Sequence, residues 1–164
     1  MSLKVREAEE ADFPALNHAV GVVALEKKFL SMTQPASLAQ SLGYYQGILK
    51  AGFPNFVALD AQMVVGWCDI APHFGGSVAH VGTLGIGLLS NYRGKGLGRQ
   101  LMSAAIAKAW GIGLRRIELS VRADNLNAVH LYQDLGFEIE GLKRRGFCVD
   151  GEFIDVTIMG LLKP

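Results

Sequence analysis

A basic, glycine-rich segment joins a strand-like run of residues to an amphipathic run in the middle of the chain. Residues 93–98 read Arg-Gly-Lys-Gly-Leu-Gly, and apolar residues recur at helical spacing from there to Trp110. Glycines leave the backbone N–H groups at a helix N-terminus accessible, and the helix dipole favours an anion there. The side chains of Arg93, Lys95 and Arg99 add positive charge. The segment therefore predicts a phosphate-binding loop, although its glycine content alone fits an ordinary turn with solvated bases equally well.

Other glycine-rich phosphate motifs do not fit this segment. It lacks the GxxxxGK(S/T) pattern, which excludes a Walker loop with its Mg²⁺-binding hydroxyl. The glycines at 94, 96 and 98 also depart from the GxGxxG spacing of a dinucleotide-binding loop. The segment is therefore not predicted to bind its ligand in either of these two ways.

The distribution of charge supports a local anionic ligand. The chain of 164 residues has a net charge of +1, from 16 Lys and Arg against 15 Asp and Glu. Residues 91–122, however, contain seven of these bases and a single acid, Glu118, which gives a local charge of +6. We interpret this stretch as the counter-charge of one bound anion. The near-neutral total gives no reason to expect nucleic acid or a membrane surface as a partner.

The composition is typical of a soluble globular protein. Half of the residues are apolar, 19% are charged and the mean hydropathy is +0.25, which is too apolar for a disordered chain and too often interrupted by charge for a membrane span. Cys68 and Cys148 lie far apart in apolar surroundings, which predicts buried, reduced thiols rather than a disulfide or a zinc site. The first residues lack the apolar run of a signal peptide, so a cytoplasmic location is expected.

Hydrophobic periodicity and turn residues predict one α/β domain over residues 1–164, with a mixed sheet. Ser37 and Gln40 have the spacing of a capping box, and Asn125 stands where a capping residue is expected. The predicted elements, in order, are a strand at 3–7, helices that begin at Asp12 and Ser37, strands at 53–60, 63–72 and 79–89, a helix at 96–110, a strand at 117–121, a helix from Asn125 to Gly136 with Ala128, Leu131 and Leu135 facing inward, and strands at 137–147 and 153–162.

Two motifs in this sequence resemble those of the Gcn5-related N-acetyltransferase (GNAT) superfamily. Residues 93–98 match the family pattern (Q/R)xxGx(G/A), and residues 125–137 look like the pattern NxxAxxLYxxxGF, one strand further along the chain. The order of elements also follows that fold, so the resemblance covers essentially the whole chain. It implies an α/β domain (α+β by some schemes) with a mixed, mostly antiparallel sheet of about seven strands, flanked by about four helices, whose central strands are splayed.

The resemblance implies acetyl-coenzyme A as cosubstrate and no metal. The pyrophosphate would lie on the amides of residues 93–98, and the pantetheine would pair with the end of the strand at 79–89, filling the gap where that strand leaves the next one. The presence of glycine at 85 and 87 would then be explained by the approach of the cosubstrate to the strand. The residues implied to bind the cosubstrate are Ile86, Leu88, Arg93, Gly94, Lys95, Gly96, Leu97, Gly98 and Asn125.

The same resemblance implies transfer of the acetyl group to a primary amine by direct attack in a ternary complex. Tyr132 would protonate the departing thiolate, because a phenol with a pKa of about 10 suits a thiolate of about 8.5, and core packing is its alternative role. Many relatives carry a carboxylate in the central strand where this chain has Thr83, which leaves the general base open. The candidates are His80, Asp69 and His73, beside a water chain or capture of the unprotonated amine.

The acceptor is expected to be an amino acid or a small amine, because residues 80–86 and 151–159 resemble the branch that acetylates such molecules. A peptide or protein N-terminus as acceptor and a non-catalytic acyl-coenzyme A sensor are the alternatives. No nucleic acid or membrane partner is expected, and the resemblance allows a homodimer through the terminal strands. Side chains that could line the acceptor site are Glu26, Tyr44, Tyr45 and Trp67.

Overall fold

A computed structural model describes residues 2–164 of the chain. The predicted order of helices and strands is confirmed, with ends that shift by a few residues, and short 3₁₀ turns lie between some of the elements. The strands and α-helices are β1 (Leu3–Glu7), α1 (Phe13–Leu25), α2 (Leu38–Ala51), β2 (Asn55–Asp60), β3 (Met63–Pro72), β4 (Val81–Leu88), α3 (Leu97–Gly111), β5 (Arg116–Arg122), α4 (Leu126–Asp134), β6 (Glu138–Val149) and β7 (Glu152–Leu162).

The two N-terminal helices begin in different ways. The capping box predicted for α2 is present: the Gln40 N–H donates to Ser37 Oγ at 3.2 Å, and the Ser37 N–H donates to Gln40 Oε1 at 2.9 Å. Asp12, predicted to cap α1, does not cap it with its side chain. Its carboxylate instead accepts hydrogen bonds from the Arg6 guanidinium, at 2.6 and 2.9 Å. The carboxylate of Asp12 therefore ties the start of α1 to β1.

The sheet has seven strands in the order β1-β2-β3-β4-β5-β7-β6. All neighbours run antiparallel except β4 and β5, which are parallel. β4 pairs with β3 as far as Leu88, but with β5 only over Val81–Thr83. Beyond Thr83 the two central strands diverge, so the mixed sheet with splayed central strands is confirmed.

The helices cover both faces of the sheet. On one face α3 and α4 pack on buried residues of the sheet, including Ile117 of β5 and Met159 of β7. On the other face α1 packs on β2 and β3 around Trp67, with Tyr45 of α2 buried in the same cluster. These two cores fix β3 and β4 between two layers of helix.

One burial prediction is confirmed and another is wrong in part. In α4, Ala128, Leu131 and Leu135 are partly buried and pack against the core as predicted, and Val129 and Tyr132 are buried as well. Cys68 is buried as predicted, but Cys148 is exposed. Cys148 is exposed because β6 is an edge strand, and most of the residues of that strand are exposed on both faces.

The glycines of β4 make room for side chains of β3. A Cβ atom on Gly87 would lie 2.2 Å from the Trp67 indole, and one on Gly85 would lie 3.3 Å from Asp69 Oδ1. Both glycines therefore have a structural reason besides the approach of a ligand.

We expect Gly87→Ala to lower the free energy of unfolding by roughly 1–3 kcal/mol, because the added methyl group forces the buried indole of Trp67 to move. Gly43→Ala is the matched control, since Gly43 is an exposed position inside α2 where a Cβ meets nothing within 4 Å. The free energy of unfolding of Gly43→Ala should rise by roughly 0.5–1 kcal/mol, because alanine is favoured over glycine inside a helix. Urea denaturation measures both changes, and equal changes in the two variants would contradict the packing argument.

Candidate active site

The predicted phosphate-binding loop has the geometry of an anion site. Gly94 and Gly96 adopt positive φ angles of 71° and 80°, and Gly96 directly precedes the first residue of α3. None of the backbone N–H groups from residue 94 to residue 99 donates a hydrogen bond to another group of residues 2–164. Gly98 is buried, with side chains of α4 and β4 within 4 Å of where its Cβ would lie. The first turn of α3 is therefore packed against the sheet while its amide donors stay open.

Arg93 does not present its charge to this loop. Its guanidinium forms two hydrogen bonds to the Glu26 carboxylate, at 2.8 and 2.6 Å, and its Nε donates to the Leu88 carbonyl at 2.9 Å. The guanidinium carbon also lies 4.3 Å from the centre of the Phe29 ring. Glu26 thus neutralises Arg93, and the ion pair lowers the pKa of Glu26 from its ordinary value. Arg93 ties the loop to the end of β4 and to the segment after α1.

The view of residues 91–122 as the counter-charge of one anion is corrected by the ion pairs of this stretch. Lys95 is the base of the loop that has no ion pair among residues 2–164, and Arg115, before β5, is the other such base of the stretch. The remaining pairs join Arg99 to Asp134, Lys108 to Glu7, Arg116 to Glu118 and Glu140, and Arg122 to Asp124. Most of the bases in residues 91–122 are therefore paired with acids of the chain. At the loop, the groups that stay available to an anion are the open backbone amides and the side chain of Lys95.

The other residues implied to bind the cosubstrate lie around the gap between the central strands. Ile86 and Leu88 belong to the part of β4 that β5 does not pair with. Asn125 caps α4, because its side-chain oxygen accepts the Ala128 N–H at 3.3 Å. Because β4 and β5 are parallel, the structure brings the unpaired end of β4, the loop and the start of α4 to the same end of the central strands.

Tyr132 is buried in the core of the α3 and α4 face. Its side chain packs near Phe137, with ring centres 6.1 Å apart, and only 8% of the residue is exposed. Its hydroxyl has no hydrogen-bond partner among the described residues and is not fully buried, because the one fully buried, unpaired side-chain oxygen of residues 2–164 is that of Asn55. Burial, with a further contribution from Cys68, raises the pKa of Tyr132 above its ordinary value. The phenol is therefore neutral near pH 7 and has a proton to donate.

Among the candidates for the general base, Asp69 is buried. It lies on the face of β3 opposite to that of Tyr132, and its Oδ1 accepts a hydrogen bond from the Tyr44 hydroxyl at 3.0 Å. Burial raises the pKa of Asp69 to about 7, although the hydrogen bond from Tyr44 acts in the opposite direction. The sequence signal for this site is an aspartate inside the otherwise apolar run at 63–72.

The two histidine candidates lie at the closed end of β4, where that strand still pairs with β5. His73 Nε2 is 2.6 Å from Thr83 Oγ1 and 3.5 Å from Glu118 Oε1. His80 is exposed, precedes β4, and accepts the Arg115 N–H with its carbonyl oxygen at 2.9 Å. The structure does not bring His80 to the divergent end of β4.

The residues proposed to line an acceptor site divide into two groups. Tyr45 and Trp67 are core residues, each 4% exposed, so packing is their role in this structure. Tyr44 is half-exposed, and Glu26 lines a cleft of about 430 Å³ between the segment after α1 and the turn that joins β6 to β7.

Among residues 2–164, no three His, Cys, Asp or Glu side chains are grouped as metal ligands would be. No helix in the described part of the chain has the length and apolar character needed to cross a membrane.

Comparison with known proteins agrees with this geometry. The chain is 32% identical over 171 aligned residues to an L-methionine sulfoximine/L-methionine sulfone acetyltransferase of Pseudomonas paraeruginosa, an alignment that covers 98% of this chain and 95% of the relative. A GNAT-family acetyltransferase of Streptococcus pneumoniae has the same fold, with a TM-score of 0.90 and 32% identity over 99% of this chain and 100% of the other.

A phosphinothricin acetyltransferase of Sinorhizobium meliloti, solved in complex with acetyl-coenzyme A, also shares the fold. Its TM-score is 0.90 at 24% identity, over 99% of this chain and 89% of the other. Residues 20–137 match the profile of the Acetyltransferase (GNAT) family. With its splayed central strands and open amide loop, the chain belongs to the acetyltransferase (GNAT) family of acyl-transferring enzymes.

Proposed function

We propose that residues 1–164 form one N-acetyltransferase domain that moves the acetyl group of acetyl-coenzyme A to the primary amine of an amino acid or a small amine. The observation that carries the proposal is the row of free N–H groups from residue 94 to residue 99, beside the unpaired end of β4. The Pseudomonas relative is named for two amino-acid derivatives, which supports a small acceptor. A peptide N-terminus remains the alternative acceptor.

The cosubstrate would lie along the gap between β4 and β5. Its pyrophosphate would accept hydrogen bonds from amides of the loop from Gly94 to Gly98, with Lys95 as the nearby cation. Its pantetheine amides would pair with backbone groups of Ile86 and Leu88, which have no partner strand on that side. Arg93 would act indirectly, because its guanidinium is held by Glu26.

The chemistry is direct attack of the amine on the thioester carbonyl in a ternary complex. The bond from nitrogen to carbon forms, the bond from carbon to sulfur breaks, and the electron pair leaves with sulfur. Tyr132 would supply the proton for the thiolate, since its phenol is neutral and lacks a hydrogen-bond partner among the described residues.

We expect the protein to release coenzyme A from acetyl-coenzyme A when an amino acid such as methionine sulfoximine is added, measured by thiol titration. Tyr132→Phe should lower kcat by roughly 100-fold or more and leave the Kd for acetyl-coenzyme A unchanged, because only the proton donor is lost. Tyr92→Phe is the matched control: the Tyr92 hydroxyl bonds to Asp60 at 2.8 Å, away from the gap, so kcat should stay near wild type.

Other outcomes of this assay separate the alternatives. Transfer only to peptide N-termini would replace the small acceptor by a peptide. Tight binding of acetyl-coenzyme A without transfer to any acceptor would indicate a sensor, and absence of binding in calorimetry would contradict the whole proposal.

We expect Lys95→Ala to weaken acetyl-coenzyme A binding roughly tenfold, because a hydrogen bond to a charged group contributes about 1.5 kcal/mol. Arg115→Ala is the matched control, since Arg115 also has no ion pair among residues 2–164 but lies at the opposite end of α3. Calorimetry at low and high salt measures both. An equal loss in the two variants would indicate general electrostatic attraction rather than a site at the loop.

We infer that two chains associate through the terminal strands. β6 is an edge strand of the sheet, and the strand pair β6 and β7 exposes large apolar side chains, namely Ile139, Leu142, Phe153 and Leu162. An uncovered strand edge with apolar neighbours is a common site of pairing between chains. The predicted cytoplasmic location and the absence of nucleic-acid and membrane partners stay predictions.

We expect a dimer in sedimentation velocity, and we expect Leu142→Lys to shift the protein to a monomer because a charge enters the apolar surface. Met63→Lys is the control, since Met63 is similarly exposed, at 51% against 55% for Leu142, but lies at the turn between β2 and β3. A wild-type monomer would contradict the inference.

A further inference from the structure

Asp69 is the one buried carboxylate among the residues that the structure describes, and it has no cation to balance it. Its exposed fraction is 7%, and the ion pairs of residues 2–164 do not include it. Burial of an unpaired carboxylate is unfavourable by several kcal/mol or more, so such a group tends to bind a proton. Packing alone therefore gives no reason for an aspartate at this position.

The Asp69 carboxyl has one hydrogen-bond donor among the described residues, and its partner on β4 presents no side chain to it. From α2, the Tyr44 hydroxyl donates to it at 3.0 Å. Its partner on β4 is Gly85, which has no side chain, and its partner on β2 is Asn55. The side-chain oxygen of Asn55 is buried and has no hydrogen-bond donor among the described residues, so it is an unused hydrogen-bond acceptor on the strand next to Asp69.

The titratable groups near Asp69 are all neutral at pH 7. They are Tyr44 and Tyr45 on α2 and Cys68 on its own strand, and burial or the nearby carboxylate raises the pKa of each. No lysine, arginine or histidine is among the groups that shift its pKa. Burial raises the pKa of Asp69 to about 7, which suits an acceptor of protons near neutral pH.

Asp69 and Tyr132 lie on opposite faces of the sheet, next to the same stretch of β3 and β4. Asp69 and Cys68 are adjacent on β3, so their side chains point to opposite faces of the sheet. Burial raises the pKa of Tyr132, and Cys68 on β3 lies close enough to raise it further. The partners of these residues on β4, Gly85 and Ile86, lie in the segment that β5 does not pair with.

We propose that Asp69 is the general base of the reaction, and that Tyr44 positions its carboxylate through the hydrogen bond to Oδ1. The inference rests on the proposed acetyltransferase function and assigns the step that the sequence left open. Asp69 takes one proton from the acceptor's ammonium, directly or through one water, and the neutral amine attacks the thioester carbon.

The protons balance over one turnover. The first ammonium proton goes to Asp69, which later releases it to solvent. Tyr132 gives its proton to the departing sulfur and regains one from the nitrogen of the new amide. Free coenzyme A, the acetylated amine and one proton are the products.

The ionisation of Asp69 can be tested without activity. Its pKa in the folded chain, about 7, exceeds its ordinary value of 3.8, so the folded state binds this proton more tightly than the unfolded state does. The urea midpoint of the wild-type protein should therefore fall as the pH rises from 5 to 7. In Asp69→Asn this fall should be absent or much reduced, and an equal fall in both proteins would overturn the ionisation.

The role in catalysis is tested by the pH dependence of kcat/KM, with one acceptor for all variants so that its own amine titrates equally in each. The wild-type profile should rise through a pH of about 7. Asp69→Asn should lose this rise and at least roughly 100-fold of the rate, with the Kd for acetyl-coenzyme A unchanged.

Two tyrosine variants separate positioning from general damage. Tyr44→Phe removes the hydrogen bond that lowers the pKa of Asp69 and holds its carboxylate in place, so the rise should move to higher pH and the plateau of kcat/KM should fall. Tyr45→Phe is the control at the next residue, because the Tyr45 hydroxyl donates to Asn17 at 3.2 Å, and its rise should stay in place.

The outcomes distinguish this inference from the function on which it rests. Transfer by Asp69→Asn at the wild-type rate and with the wild-type profile, beside an inactive Tyr132→Phe, overturns the role of Asp69 and leaves the acetyltransferase intact. If Asp69→Asn does not fold, an unmoved profile in Tyr44→Phe overturns the proposal. Absence of transfer by the wild-type protein overturns both, whatever the denaturation series shows.

Discussion

The active region depends on a parallel strand pair that ends early. β4 and β5 pair only over Val81–Thr83 of β4, while β3 holds β4 up to Leu88 and β7 holds β5 up to Arg122. Each central strand is therefore fixed by its outer neighbour while the two separate from each other. The separation leaves backbone groups of β4 unpaired inside the sheet, which is unfavourable unless another molecule pairs with them. A cosubstrate with amides in its chain meets that requirement.

The loop proposed to bind the anion offers open backbone amides rather than the charge of Arg93. Arg93 bonds to Glu26 and to the Leu88 carbonyl, so its guanidinium fixes the end of β4 relative to the loop. Gly98 lets the first turn of α3 pack closely on β4. The loop is therefore anchored at Arg93 and at Gly98, while the amides from residue 94 to residue 99 donate no hydrogen bond to residues 2–164.

Features that depend on nearby residues could be predicted from the sequence, whereas contacts between residues far apart in the chain could not. The open amides of the glycine loop, the capping role of Asn125 and the order of elements depend on neighbours a few residues away, and these predictions are confirmed. The ion pair between Arg93 and Glu26 joins residues 67 positions apart, so the sequence suggested a free arginine. The burial of Asp69 likewise depends on α2 and β4, which no local pattern around Asp69 reveals.

In the proposed mechanism, the proton donor and the proton acceptor lie on opposite sides of the sheet. Tyr132 belongs to the core under α3 and α4, and Asp69 lies on the face covered by α1 and α2, where Tyr44 donates a hydrogen bond to it. On β3, Asp69 is next to Cys68, and the partners of these two residues, Gly85 and Ile86, belong to the part of β4 that has separated from β5. The early end of that pairing would therefore bring the thioester carbon near both groups, with the leaving sulfur served by Tyr132 and the arriving amine by Asp69.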